Sequence, residues 1–464
     1  MKHSRKLNLI NHPKAADLFN QDEERVNWHD GAIWNVRNKR DSAAHGVKNW
    51  EALRDAAEHI KAHTLSCLSE YLQEFQQNAS NNNITVHWAA DAREHNAIIF
   101  QLLAARGVKR VVKSKSMLTE ECGLNDFLQE QGIEVTDTDL GERIVQLAHE
   151  PPSHIVLPAI HKKRGEVDEL FHRTMGTDLC GGDPHYLTRK ARAALREKFL
   201  QADAAITGVN FAVAETGEFV VCTNEGNADM GVNSTALHIA CMGIEKIIPK
   251  KIHLSIFLRL LARSATGQPV TAYSSHYKNP DAGKEIHVVI VNNGRSTQLG
   301  KADFRSSLQC IRCGACMNTC PVYRRSGGHS YGYTVPGPIG SILSPGVDIK
   351  KYSTLPFAST LCGSCSDVCP VKIDIHTQLF KWRQVVVKQA GASWIKTVSV
   401  KSSALVLAHP ILFNLVGKSS RLFLRFAPRF AVYNRFNLWG KQRELPPPPV
   451  QSFTEWYKKN RKQQ

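Results

Sequence analysis

No run of apolar residues in the sequence is long enough to cross a bilayer as one helix. The longest, ALVLAHPILFNLVG (404–417), is broken by His409, Pro410 and Asn414 and falls short of the roughly 18 residues a span requires. The N-terminus, MKHSRKLNLINHPKAADLF, is basic but has no apolar core of an export signal, so a cytoplasmic location is expected. No G-x-G-x-x-G follows a strand-like segment, so no flavin or nicotinamide of its own is expected. Acid is scarce toward the C-terminus. From Gly391 onward thirteen Lys and Arg face only Glu444 and Glu455, and most of the formal charge of +17 sits there. What is present is a chain of 464 residues, 42% hydrophobic and 22% charged, too long for one ordinary core.

Twelve cysteines in a reducing compartment point to metal binding or catalysis rather than disulfides. Seven of them fall between positions 310 and 369. Cys67, Cys122, Cys180, Cys222 and Cys241 stand singly and read as small buried hydrophobes.

Four segments follow from the patterning. Residues 1–70 form a helical lead-in, in which Leu53, Ala57, Ile60, Leu65, Leu68 and Leu72 recur at helical spacing. Over 71–295 strand-like and helix-like stretches alternate: ITVHWAAD, REHNAIIFQLLAARG, VKRVVKS, LNDFLQEQG and IEVTDTD, then SHIVLPA, AAITGVNFAVAETGEFVVC, KIIP and HVVIVNN. That rhythm predicts an α/β domain with a mostly parallel sheet covered on both faces. The cysteines occupy 296–390, with the turn-rich stretch 324–346 between their two runs, ordered by burial of Tyr331, Tyr333 and Ile339. The basic, aromatic segment 391–464 comes last.

The run CIRCGACMNTCP places Cys310, Cys313, Cys316 and Cys320 before Pro321, and STLCGSCSDVCPVKI places Cys362, Cys365 and Cys369 before Pro370. Aligned from their Cys-Pro ends, the second has Ser359 where the first has Cys310. The first run resembles the bacterial ferredoxin pattern C-x2-C-x2-C-x3-C-P, whose fourth cysteine ligates the other cluster. Carried over, Cys310, Cys313, Cys316 and Cys369 hold one iron–sulfur cluster, and Cys320, Cys362 and Cys365 hold a second. Zinc fits poorly, because seven thiols do not divide into fours. The first cluster is expected to be 4Fe-4S. The second has three evident thiolates and is either 4Fe-4S or 3Fe-4S, with Ser359 standing where a fourth ligand would be; a hydroxyl is a poor partner for so soft a site.

These runs, with VVKSKSM (111–117), GEFVVCTNEGNADMG (217–231), HIACMGIEKIIP (238–249) and LPPPPVQSFTEW (445–456), resemble the lactate utilisation protein B family. The resemblance implies an α/β domain of the fold shared by sugar-phosphate isomerases and CoA-transferases, then an α-helical ferredoxin module, to which the residues themselves add a short helical basic C-terminal segment. It also implies an electron-transfer subunit of a bacterial complex that oxidises L-lactate to pyruvate, two partner proteins of the same pathway, and an unidentified electron acceptor.

In the α/β domain Asn224, Glu225, Gly226 and Asn227 follow a strand-like segment, where open α/β sheets place a ligand crevice. Lys113 and Lys115 could meet an anionic substrate there, or simply form a solvated strand end; Glu225 could equally cap a helix. Asp183, His185 and His238 have weaker claims, and no catalytic residue is assigned. In the tail Arg421, Arg425, Arg429 and Arg435 interleave with Phe423, Phe426, Phe430, Phe436 and Trp439. That pattern suits a cover for the ferredoxin module, a partner, or peripheral contact with the inner membrane face. Nucleic acid is not expected as a partner, for want of a base-reading motif. A free-standing enzyme centred on the α/β domain is the rival reading, favoured if the chain alone turned over L-lactate with an artificial acceptor.

Overall fold

The structure, a computed structural model, describes residues 9–391, 394–427, 429–434, 444 and 446–461. The chain divides into two compact units, Met1–Ala390 and Gly391–Gln464.

Four helices open the first unit: α1 (His12–Phe19), α2 (Glu23–His45), α3 (Trp50–Ser66) and α4 (Leu68–Asn81). Their starts are set locally. Asn11 accepts from the Lys14 amide at 3.2 Å and Asp22 from that of Arg25 at 2.9 Å, which satisfies amides left without partners at a helix N-terminus. The buried face of α3 includes Leu53, Ala57 and Leu65, as periodicity predicts, but also Arg54 and Lys61, which apolar spacing misses.

The larger sheet has six parallel strands in the order β1-β10-β7-β4-β2-β3. They are β1 (Ile84–Ala89), β2 (Arg110–Lys113), β3 (Glu134–Asp137), β4 (Ala204–Gly208), β7 (Leu237–Gly243) and β10 (Glu285–Val291). Alternate residues of β10 feed two cores: Ile286, Val288 and Ile290 cluster with Leu72 and Phe75 of α4, while Val289 and Val291 cluster with Ile99 and Leu103 on the opposite face. Both faces are therefore covered, which is why the central strands read as near-continuous apolar runs. A smaller sheet, β8-β5-β6-β9, joins β5 (Phe211–Val213), β6 (Phe219–Thr223), β8 (Ile247–Ile248) and β9 (Tyr273–Tyr277). The stretch 204–222 thus supplies three strands shared between two sheets.

SHIVLPA, expected as a strand, is an irregular strap. The amides of Val156 and Leu157 both donate to His154 Nδ1 at 3.0 Å, so neither is free for a ladder, and Pro158 has no N–H to give. The turn-rich segment between the cysteine runs is ordered, with Tyr331 and Ile339 buried, and contains an unforeseen helix, Gly337–Val347.

One apolar core runs from Ile33 of α2 and Trp50, Leu53 and Ala57 of α3 to Cys313, Cys316, Cys320, Cys365 and Cys369. The N-terminal helices pack with the cysteine region rather than merely leading into the α/β domain.

The second unit holds helices Trp394–Ala408, Pro410–Phe426, Arg429–Val432 and Phe453–Arg461. Among the described residues no single helix is long and apolar enough to cross a membrane, although the pair Thr397–Ala408 and Pro410–Phe426, bent by 108°, together reaches that length and composition. Phe423, Phe426 and Phe430 are exposed, and Arg421 pairs with Glu455 at 3.0 Å. Arg435, Phe436 and Trp439 lie outside the described residues.

Candidate metal centre

The two cysteine runs fold into two copies of one turn. Arg312 and Leu361, each preceding a cysteine, have φ of 62° and 58°, and Gly314 and Gly363, each following it, have φ of 78° and 82°. A short helix then starts in both, Ala315–Thr319 and Ser364–Asp367. Met317 N donates to Gly314 O, and Ser366 N to Gly363 O, each at 2.9 Å. The helix stops where Pro321 or Pro370 follows the last cysteine.

Cys310, Cys313, Cys316 and Cys369 meet around a small cavity of about 20 Å³, whose other walls are apolar and include Ile155, Ile339, Val371 and Ile373. Backbone amides of Arg312 and Ile373 donate to the sulfurs of Cys310 and Cys369, each at 3.4 Å. Burial pushes the Cys369 thiol up to about 11 and those of Cys313 and Cys316 higher still, with neighbouring cysteines adding to the shift. Converging soft donors, an apolar wall and amides aimed at sulfur suit an iron–sulfur cluster, whose irons would replace the thiol protons.

Cys320, Cys362 and Cys365 form the second set. Burial lifts Cys365 to about 12, and the charges of Cys320 and Cys362 add to the shift. Burial likewise lifts Cys320 to about 11, with Cys362 contributing. Tyr323 N donates to Cys320 Sγ at 3.5 Å. Cys362 is exposed, whereas Cys313, Cys316 and Cys369 are buried. The sets adjoin, since Cys365 also acts on the Cys316 thiol. Among the described residues no three His, Cys, Asp or Glu side chains close on a single-ion site.

Cations from the N-terminal helices bond to backbone carbonyls of the second turn and of Glu245. Arg54 Nε donates to Cys369 O at 3.0 Å and its Nη2 to Asp367 O at 2.5 Å. Arg40 Nη2 donates to Val368 O at 2.9 Å. Lys61 Nζ donates to Glu245 O at 2.5 Å, and burial lowers its pKa to about 8, with Glu245 and Cys310 among the charges opposing that shift. Sequence reading missed all three, because a cation on an apolar helix face ordinarily points to solvent.

A cleft of about 520 Å³ lies beside the first set, and Ile155 lines both. It opens beyond the carboxyl ends of β2 and β4, where successive sheet connections run in opposite directions, the usual ligand crevice of an open parallel sheet. Of the expected residues, Lys115, Asn224, Glu225 and Asn227 line it. Glu225 does cap a helix: its Oε2 accepts from the Leu140 amide at 3.0 Å. It sits exposed at the cleft mouth, yet the surrounding protein, with Asp139, pushes its carboxyl up to about 7. Lys115 Nζ donates to Val156 O at 2.6 Å.

Lys113 is not in the cleft and is no solvated strand end. It is fully buried, with Nζ 2.8 Å from Asp137 and 2.9 Å from Glu120; burial would lower its pKa, but those carboxylates hold it well above the usual lysine value. Gly226 starts the helix Asn227–Ser234 at φ 65° and does not line the cleft. The strand ahead of it, β6, belongs to the smaller sheet. Asp183 caps a helix through the His185 and Tyr186 amides, and His238 is buried against Thr207 Oγ1 at 2.8 Å. At the end nearest the cysteines the cleft gains Lys246 and Arg312, which no local sequence pattern marks. Arg312 lies 3.7 Å from Glu245, while Lys246 Nζ has no hydrogen-bond or ion-pair partner among the described residues.

An α/β domain joined to a two-set cysteine module is the class defined so far. Comparison with known proteins agrees: residues 72–297 match the LUD domain, and residues 306–373 match the 4Fe-4S dicluster domain. Lactate utilization protein B of Bacillus pumilus is 43% identical over 440 residues, covering 92% of this chain and 92% of that one. Its namesake in an Exiguobacterium species is 41% identical over 435 residues, covering 91% and 92%. The chain belongs to the lactate utilization protein B family. A crystal structure of a DUF162 family protein from Deinococcus radiodurans is 14% identical, covering 48% of this chain and 98% of that one, with a TM-score of 0.27.

Proposed function

We propose that the protein is the iron–sulfur electron-transfer component of a bacterial complex that oxidises L-lactate to pyruvate. One observation carries the reading: two adjacent thiol sets in one compact unit, each drawing cysteines from both runs. In this reading Cys310, Cys313, Cys316 and Cys369 hold a 4Fe-4S cluster, and Cys320, Cys362 and Cys365 hold the second. Oxidation of L-lactate to pyruvate releases two electrons and two protons, and two adjacent one-electron centres can take the electron pair in single steps. Two other lactate-utilisation proteins and an electron acceptor complete the system. The basic helices of the second unit serve peripheral contact with the inner membrane face of a cytoplasmic complex. The α/β domain takes the isomerase/CoA-transferase-like fold, and its cleft receives a small organic anion near Lys115, Asn224, Glu225 and Asn227.

The test is to purify the chain anaerobically with its partner proteins, add L-lactate and follow the clusters by electron paramagnetic resonance. Reduction of the clusters only when the partners are present is the expected result. Clusters that stay oxidised with every partner present would reject the reading. Turnover of L-lactate by the chain alone, with an artificial acceptor, would favour a catalytic cleft instead.

A further inference from the structure

The second run lacks the first cysteine of the pattern but has the same turn around that position. In the first run Arg312 N donates to Cys310 Sγ at 3.4 Å; in the second Leu361 N donates to Ser359 Oγ at 3.1 Å. The same amide, two residues on, thus meets the same side-chain atom position in both. Leu361 holds φ 58° to do so. A left-handed conformation is uncommon for a non-glycine residue, and Arg312 holds the same one, φ 62°, in the first run. The turn is also fixed from outside. Arg383, on the helix Ile375–Ala390, donates through Nη2 to Ser359 O at 2.7 Å and through Nε to Pro356 O at 2.9 Å.

We propose that Ser359 Oγ is the fourth protein ligand of the cluster held by Cys320, Cys362 and Cys365, so that this cluster has four irons, one of them bound through oxygen. The inference rests on the cluster assignment made above. Cys310 lines one small cavity with Cys313 and Cys316, so the same turn at Ser359 would present its Oγ to the cluster held by Cys362 and Cys365. On binding iron the hydroxyl gives up its proton, and the Leu361 amide stabilises the resulting alkoxide as the Arg312 amide does the thiolate. A hard oxygen is the weaker partner for this iron, and the neighbouring Cys362 is exposed. That corner is therefore the first to release its metal.

The experiment compares the wild-type chain with Ser359→Ala and Ser359→Cys after anaerobic reconstitution, by iron analysis, Mössbauer spectroscopy and electron paramagnetic resonance under mild oxidation with a chelator. About eight irons are expected in the wild type, one of them lost on oxidation to leave a three-iron signal. Ser359→Ala should lack that iron from the start, and Ser359→Cys should retain it at least tenfold longer. Equal iron content and equal rates of loss in all three proteins would overturn the ligand assignment, as would a wild type that holds only three irons at this site under reducing conditions. A wild type with only about four irons in total would instead overturn the assignment of Cys320, Cys362 and Cys365 itself.

Discussion

The first thiol set is the more buried, with only Cys310 half-buried, whereas the second reaches the surface at Cys362. Both are built on the same turn, to within a few degrees at Arg312 and Leu361 and at Gly314 and Gly363. The difference comes from what packs over each. The strap around Ile155 closes the first, and Lys61, Arg54 and Lys246 put positive charge near its cysteines. Positive charge and burial are both levers on cluster potential. A repeated local motif thus yields two chemically distinct sites because the surroundings are not repeated.

The largest effects should come from splitting the sets. Cys369→Ala is expected to remove the first cluster and Cys365→Ala the second, each cutting iron content by about half. Paramagnetic resonance of the two variants would show whether the remaining signals differ; loss of the same signal from both would break the crossed pairing.

Next comes the brace. Arg54→Leu removes charged hydrogen bonds to Cys369 O and Asp367 O and strands the buried Cys369 carbonyl, a loss on the order of 2–4 kcal/mol. Chemical denaturation of the reconstituted protein measures it, and a loss below 0.5 kcal/mol would demote Arg54 from brace to bystander.

Lys61→Met keeps the side chain's length but removes its charge. It should lower the potential of the first cluster, since a nearby cation favours the more negative reduced form, by an amount on the order of tens of millivolts. The second cluster should move less. Equal shifts in a redox titration would mean that Lys61 does not distinguish the two.

The smallest expected contrast lies between two glycines. A Cβ at Gly314 would meet His154 Cε1 at 3.1 Å and Val156 Cγ2 at 3.2 Å, whereas one at Gly363 would meet nothing within 4 Å. Both alanine variants bear the left-handed strain, about 1 kcal/mol. Gly314→Ala should cost more by the added crowding, as thermal denaturation can show.

Legibility differed by residue for physical reasons. The helices of 12–81 were legible because one buried face imposes a period on the sequence, and most strands of the parallel sheet because burial on both faces makes them short apolar runs. SHIVLPA misled because its apolar residues serve a strap whose amides are taken by His154. In the cleft, Lys115, Asn224, Glu225 and Asn227 followed strand-like segments and could be found. Lys113 was just as prominent, yet it closes β2 in a buried ion-pair cluster with Asp137 and Glu120, whereas Lys115 lies two residues beyond the strand. Lys246 and Arg312 carried no local signal, because their place in the cleft arises only when distant segments pack together.

The sequence by itself determined the family, the two cysteine runs and their shared turn, since cysteine spacing, glycine and proline act within a few residues. Only the tertiary structure decided which set is the more buried, which cations stand beside it and which lysine faces a cleft. Those properties depend on contacts between segments as distant as Arg54 and Cys369, and no local pattern encodes such a pairing.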